Sequence, residues 1–140
     1  MDFKTADLYD RHEDRVRVCK PLFRDFGGRR RFAGPVATVK CFEDNTQVKA
    51  ALAEPGAGRV LVVDAGGSLR CAMLGDLIAE SSVENGWAGV LLYGCVRDSA
   101  ELSGMDLGVK ALAANPRKSV RRGEGQRDLP VTFAGVTFRP

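Results

Sequence analysis

The stretch GRVLVVDAGGSLRCAMLGDLIAESSVENGWAGVLLYGCVRD, residues 58–98, decides the fold. Arg59 to Asp64 (RVLVVD) is an apolar run without alternation, the pattern of a strand covered on both faces. It breaks at Gly66-Gly67. CAMLGDLIAESSVENG reads as a helix that starts near Gly75 and closes at Asn85-Gly86. WAGVLLYG is the next strand. Strand, helix and strand in this space make a βαβ unit, with parallel strands and a right-handed crossover. The expected fold class is α/β.

Working outward, Thr5 followed by ADLYDRHED predicts an N-capped opening helix. Gly27, Gly28, Gly34 and Pro35 then predict turns feeding a β-branched strand over Val36 to Phe42. Asp44 or Asn45 is positioned to cap a short helix, TQVKAALAE, which Pro55 and Gly56 end. Past Asp98 the pattern weakens through SAELSG, MDLGVKALAANP and KSVRRGEGQRD. The end, LPVTFAGVTFRP, alternates and turns at Ala134-Gly135, so it predicts a hairpin. A chain of 140 residues is most simply one domain, residues 1–140.

Composition narrows the function. With 44% hydrophobic and 28% charged residues the chain can bury a core and stay in solution. No apolar run approaches the ~20 residues that span a bilayer, and the polar start MDFKTADLYD is not a signal peptide. Cys19, Cys41, Cys71 and Cys95 are scattered without a C-x-x-C, so they read as reduced, buried thiols of a cytoplasmic protein rather than a zinc or redox motif. The one histidine, His12, sits in a polar segment, which excludes a His-rich metal centre and leaves hard, oxygen-ligated ions such as Mg²⁺ or Mn²⁺. Net charge is only +3. The basic clusters at Arg29-Arg30-Arg31 and Arg117 to Arg122 lack interleaved aromatics, so they read as solvated loops and not as a nucleic-acid surface.

The strand WAGVLLYG runs on into Arg97 and Asp98, and a charge pair at the exit of a buried strand is either a surface ion pair or part of a site. Asp76 stands twenty-one positions before Arg97. That spacing alone is weak, since Asp106, Arg127 and Asp128 repeat it and Arg24-Asp25 is a third R-D pair. Context separates them: Arg127-Asp128 lies in a polar turn, whereas Arg97-Asp98 sits at the carboxyl end of a parallel strand, where open α/β sheets bind ligands. Gly75, Asp76, Leu77 and Ile78 would offer backbone amides at a helix N-terminus, an anion site. Arg97 offers a planar fork for a carboxylate, and Asp98 an oxygen ligand for a divalent cation that keeps most of its waters. An oxo acid suits these groups, with Asp76 as acid or base through a water. Lys40, in an apolar strand, is the weaker alternative, a Schiff-base nucleophile.

The blocks FGGRRRFAGPVATVKCFEDN, GRVLVVDAGGSLRCAMLGDLIAE, GWAGVLLYGCVRD, MDLGVKALAANPRKS and VTFAGVTF together resemble the RraA-like proteins. That family combines regulators of ribonuclease E activity with class II 4-hydroxy-4-methyl-2-oxoglutarate aldolases. The resemblance implies a compact α/β sandwich of the swivelling β/β/α type, assembled as a homotrimer with the cleft near subunit contacts. It implies that Gly75, Asp76, Leu77 and Ile78 bind pyruvate, that Arg97 binds substrate, and that Asp98 holds the divalent metal, linked to Asp76 through water. It also implies oxaloacetate decarboxylase activity. Regulator-type members can lack the acid after the arginine. This chain keeps Asp98, so the resemblance points to the enzyme, with a non-catalytic partner of ribonuclease E as the alternative. A methyltransferase, another label attached to the family, lacks support because no G-x-G-x-x-G follows the first strand. Family members usually continue past VTFAGVTF into a further strand, which is expected to be absent from this chain.

Overall fold

The computed structural model describes residues 2–140. Four strands, β2 (Val36–Lys40), β3 (Val60–Asp64), β5 (Gly89–Val96) and β6 (Gly108–Ala114), form a parallel core. The short β1 (Arg24–Asp25) and β7 (Gln126–Arg127) close its two edges antiparallel, giving the order β1-β6-β5-β3-β2-β7. Helices α2 (Thr46–Leu52), α3 (Asp76–Glu84) and α4 (Ser99–Ser103) contribute Leu52, Ile78 and Leu102 to one buried cluster with Leu61, Val63, Val90 and Leu92. The hairpin of β8 (Val131–Phe133) and β9 (Val136–Phe138) covers the opposite face, where Val60 and Val62 pack with Val131 and Phe133. Successive residues of β3 point to opposite faces, and both faces are covered. Hence VLVVD shows no alternation and Val60 to Val63 are all buried.

The βαβ expectation holds: β3 and β5 pair parallel with Val60 beside Gly89, and α3 lies between them in sequence. The hairpin turn falls at Ala134 and Gly135, both with positive φ, the geometry that matches strand twist. Other readings need correction. Thr5 does not cap the first helix; α1 runs Thr5–His12 with Lys4 before it and no side-chain cap. The strand expected to reach Phe42 ends at Lys40. Arg127 is in strand β7, not in a turn, and pairs with Glu54. Most consequential, Ala72–Leu74 is a strand, β4, where the sequence suggested only an approach to the helix. Its three residues are too few to show a period, and all three are buried.

Candidate active site

Strand β5 is long enough to hold two partners along one edge. β3 pairs with residues 89–93 and β4 takes over beyond them, with Ala72 beside Cys95 and Leu74 beside Val96. The ladder continues one step further: the Arg97 N–H donates to the Leu74 carbonyl at 2.9 Å. This pairing sets Gly75 against Arg97 and Asp98 before any side chain is considered. Gly75 is extended (φ −129°, ψ −169°), so its backbone is open to any residue. Space is what demands glycine, because a Cβ there would lie 2.8 Å from Asp98 Oδ2 and 3.3 Å from Arg97 Cγ.

Asp98 is left-handed (φ 54°, ψ 43°), which aspartate tolerates better than most residues. Its carboxylate folds back onto the start of α3, where Oδ2 accepts the Asp76 N–H at 3.0 Å. Arg97 Nε stands 3.8 Å from the same oxygen, and Nη1 donates to the Pro116 carbonyl at 3.5 Å. The first intrahelical bond of α3 runs from the Ala79 N–H to the Gly75 carbonyl. The amides of Asp76, Leu77 and Ile78 therefore lie outside the helical ladder, the usual state of a helix start. The Leu77 amide is met by the carboxylate of Asp76 at 2.8 Å.

These residues line a cleft of about 390 Å³, with Gly75, Asp76, Leu77, Ile78 and Arg97 on one wall. Asp98 opens instead into an adjoining hollow of about 250 Å³ on the far side of Arg97, with Ser99 and Asn115. All six residues predicted from the sequence are thus neighbours, with Arg97 at the junction of the two spaces.

The other wall of the cleft was missed. Asn45, Lys118, Ser119 and Arg121 form it, so the basic run read as a solvated loop borders the site. Residues 117 and 118 lie alongside β4, where the Ala72 N–H donates to the Arg117 carbonyl at 2.7 Å and Ala72 bridges Lys118. Asp44, 3% exposed, holds the loop beyond: it accepts the backbone amides of Arg122 and Glu124 together with the amide and hydroxyl of Thr46. Burial works against the charge of Asp44, yet these donors outweigh it and bring its pKa down to about 2. Asn45 accepts from Arg121 Nε at 2.9 Å and donates to the Met73 carbonyl at 3.3 Å. The only sequence signal was the capping pair Asp44-Asn45, whose partners in the basic loop lie more than seventy positions away.

Other chemistries find little footing. Lys40 faces solvent, and His12, the last residue of the opening helix, pairs with Arg15 in the turn that follows. Burial pushes the Cys41 thiol up to about 12 and raises Cys71 and Cys95, so none of these three is disposed to act as a thiolate. Among the described residues no three His, Cys, Asp or Glu side chains converge as a metal cage. A single oxygen donor, with the Asp76 carboxylate close by, fits a hard cation that retains its waters and does not fit zinc. No helix among the described residues is long and apolar enough to cross a membrane.

Known proteins are similar to this chain along nearly its whole length. A protein of Alkalilimnicola ehrlichii, provisionally named a 4-hydroxy-4-methyl-2-oxoglutarate aldolase, is 63% identical over 99% of this chain and 86% of its own length. The RNA-processing inhibitor RraA from Thermus thermophilis superposes with a TM-score of 0.94 at 47% identity, over 100% of this chain and 85% of that one. A Geobacillus kaustophilus structure described as an S-adenosylmethionine: 2-dimethylmenaquinone methyltransferase gives 0.96 at 48% identity, over 99% and 86%. The family model described as RraA-like, Aldolase/RraA, matches residues 5–140, and with these relatives and this α/β sandwich the chain belongs to that family.

Proposed function

We propose that the protein is a lyase: a class II aldolase that cleaves 4-hydroxy-4-methyl-2-oxoglutarate-type substrates to pyruvate and also decarboxylates oxaloacetate. The observation that carries this reading is the convergence of the α3 amides, Arg97 and Asp98 around Gly75. In cleavage the C4 hydroxyl proton leaves, the C3–C4 bond breaks, and its electron pair spreads over C3 and the C2 oxygen; protonation at C3 gives pyruvate. In decarboxylation carbon dioxide departs in place of the second carbonyl product. Arg97 binds the C1 carboxylate with a fork that an ammonium cannot reproduce. The Ile78 amide adds to that anion site, and the Asp76 amide joins it once Asp98 gives up the bond it now accepts from it. The Asp76 carboxylate now sits on the Leu77 amide; rotating away frees that amide for substrate and leaves the carboxylate to take or return a proton through water. A divalent cation held by Asp98, Mg²⁺ or Mn²⁺, would supply positive charge at the keto oxygen, where the electron pair accumulates.

The test is oxaloacetate turnover to pyruvate with Mg²⁺, with excess chelator, and in Asp98→Ala. The expected result is metal-dependent turnover that the variant loses while staying folded; full activity in Asp98→Ala would sink the metal assignment.

A second reading, a regulator that binds ribonuclease E, is favoured by the likeness to the RNA-processing inhibitor. It would use the outer surface, so capture of the ribonuclease should survive Asp98→Ala. Assembly as a homotrimer is part of the proposal. Its support is the set of apolar side chains left bare, Phe42 (56% exposed), Leu69 (58%), Leu77 (75%) and Val120 (53%), and light scattering on the purified chain tests it.

A further inference from the structure

Helix α3 begins on a residue with no side chain to cap it. Gly75 holds its N-cap position, and the cap comes from elsewhere: Asp98 receives the Asp76 amide on Oδ2 at 3.0 Å. Asp98 itself stands at the N-cap of α4, where an aspartate ordinarily accepts amides of its own helix. Among the described residues it makes no side-chain cap bond there. Its Oδ2 also lies 3.8 Å from Arg97 Nε. Asp76, in turn, covers the Leu77 amide at 2.8 Å.

The donors assigned to the substrate carboxylate are Arg97 and the α3 amides. A carboxylate of the protein already stands beside Arg97 and on the amides of Asp76 and Leu77. Asp98 thus makes the contacts of a bound acid, and its negative charge opposes a second one arriving. Its side chain is 31% exposed and borders the hollow with Ser99 and Asn115 rather than the cleft. A cation can therefore reach it from water, whereas serving a ligand in the cleft requires the carboxylate to move.

We infer that Asp98 is an internal stand-in for the substrate carboxylate, closing the anion site until a divalent cation draws it off, so that cation and oxo acid bind in that order. This deepens the proposed function and rests on its assignment of the site. The device is a competition for one carboxylate, between the Asp76 amide with Arg97 and the cation. Linkage makes it reciprocal, because whatever vacates the amide also favours the acid.

The experiment is amide NMR of the full chain with Mg²⁺ and with propanoate, which has the carboxylate of pyruvate but no keto oxygen. Mg²⁺ alone should shift the Asp76 amide signal and speed its hydrogen exchange about 10- to 100-fold, as a charged hydrogen bond is lost. In Asp98→Ala, propanoate should bind without Mg²⁺ about 10-fold tighter than in the metal-free wild type. A residue that only held the metal would give no such gain. Glu101→Gln removes a charge from α4 without touching the Asp76 amide, and should leave propanoate binding unchanged. Mg²⁺ binding that leaves the Asp76 amide unmoved overturns the inference. So does an Asp98→Ala protein with no gain in propanoate affinity, or a gain that Glu101→Gln reproduces. Any of these in a protein that still turns over oxaloacetate leaves the proposed function standing. A spectrum without response to Mg²⁺ removes the inference and the metal assignment together. The expected shifts in a protein that turns over no oxo acid leave the stand-in in place and remove only the reaction.

Discussion

Gly75 concentrates the residue-scale argument. Its backbone is in the ordinary extended region, so alanine would cost little in conformation. The added methyl would nevertheless meet Asp98 Oδ2 and the Arg97 side chain. Displacing these groups by about 1 Å is enough to cost on the order of 100-fold in rate. Gly75→Ala is therefore expected to lose about two orders of magnitude in kcat/KM for oxaloacetate while its melting temperature moves little; steady-state kinetics beside a thermal melt checks both. Arg97→Lys should act differently, raising KM through the lost fork more than it lowers kcat. The residue types here were legible in advance. Glycine before an acid at a helix start, and an acid after arginine at a strand exit, name their chemistry without coordinates. Which side of Arg97 the carboxylate of Asp98 occupies was not legible, because that depends on its left-handed backbone.

At the scale of elements, the decisive piece is the one the sequence hid. β4 carries Gly75 to β5, and Leu74 anchors it at 1% exposure. Leu74→Ala should cost about 2–5 kcal/mol, measured by urea denaturation, and should lower activity beyond the loss of folded protein, since the cavity lies beneath the site. Asp44 is the second such device. Its folded pKa, about 2, lies below the ordinary aspartate value. The stability it confers is therefore complete above about pH 4 and is lost as pH falls towards 2. Acid titration followed by circular dichroism should show that slope in the wild type, and Asp44→Asn should remove its share. Long apolar strands announced themselves through composition, and so did the hairpin. Three-residue strands and loops held by remote carboxylates did not, because their cause lies in partners distant along the chain.

For the whole molecule, the three-layer arrangement explains why so much was readable. Helices cover one face of the sheet and the hairpin the other, so strand cores must be apolar throughout. The basic segment 117–122 escaped because polarity alone cannot tell a solvated loop from the wall of a cleft; the difference is whether Asp44 and Asn45 reach it. Salt should separate the two kinds of positive charge. Raising ionic strength should weaken oxo-acid binding, measured as KM for oxaloacetate, far more than it lowers the melting temperature. Exposed pairs such as Arg29–Asp106 contribute little to stability.

The bond from the Arg97 amide to Leu74 also makes the site its own reporter. Arg97 is part-exposed, yet its N–H is a rung of the central ladder. Its deuterium uptake should therefore keep time with the opening of β4 from β5 rather than with loop fluctuations. Protection at this one position would register whether β4 and β5 are joined beneath Gly75, in any variant and without substrate.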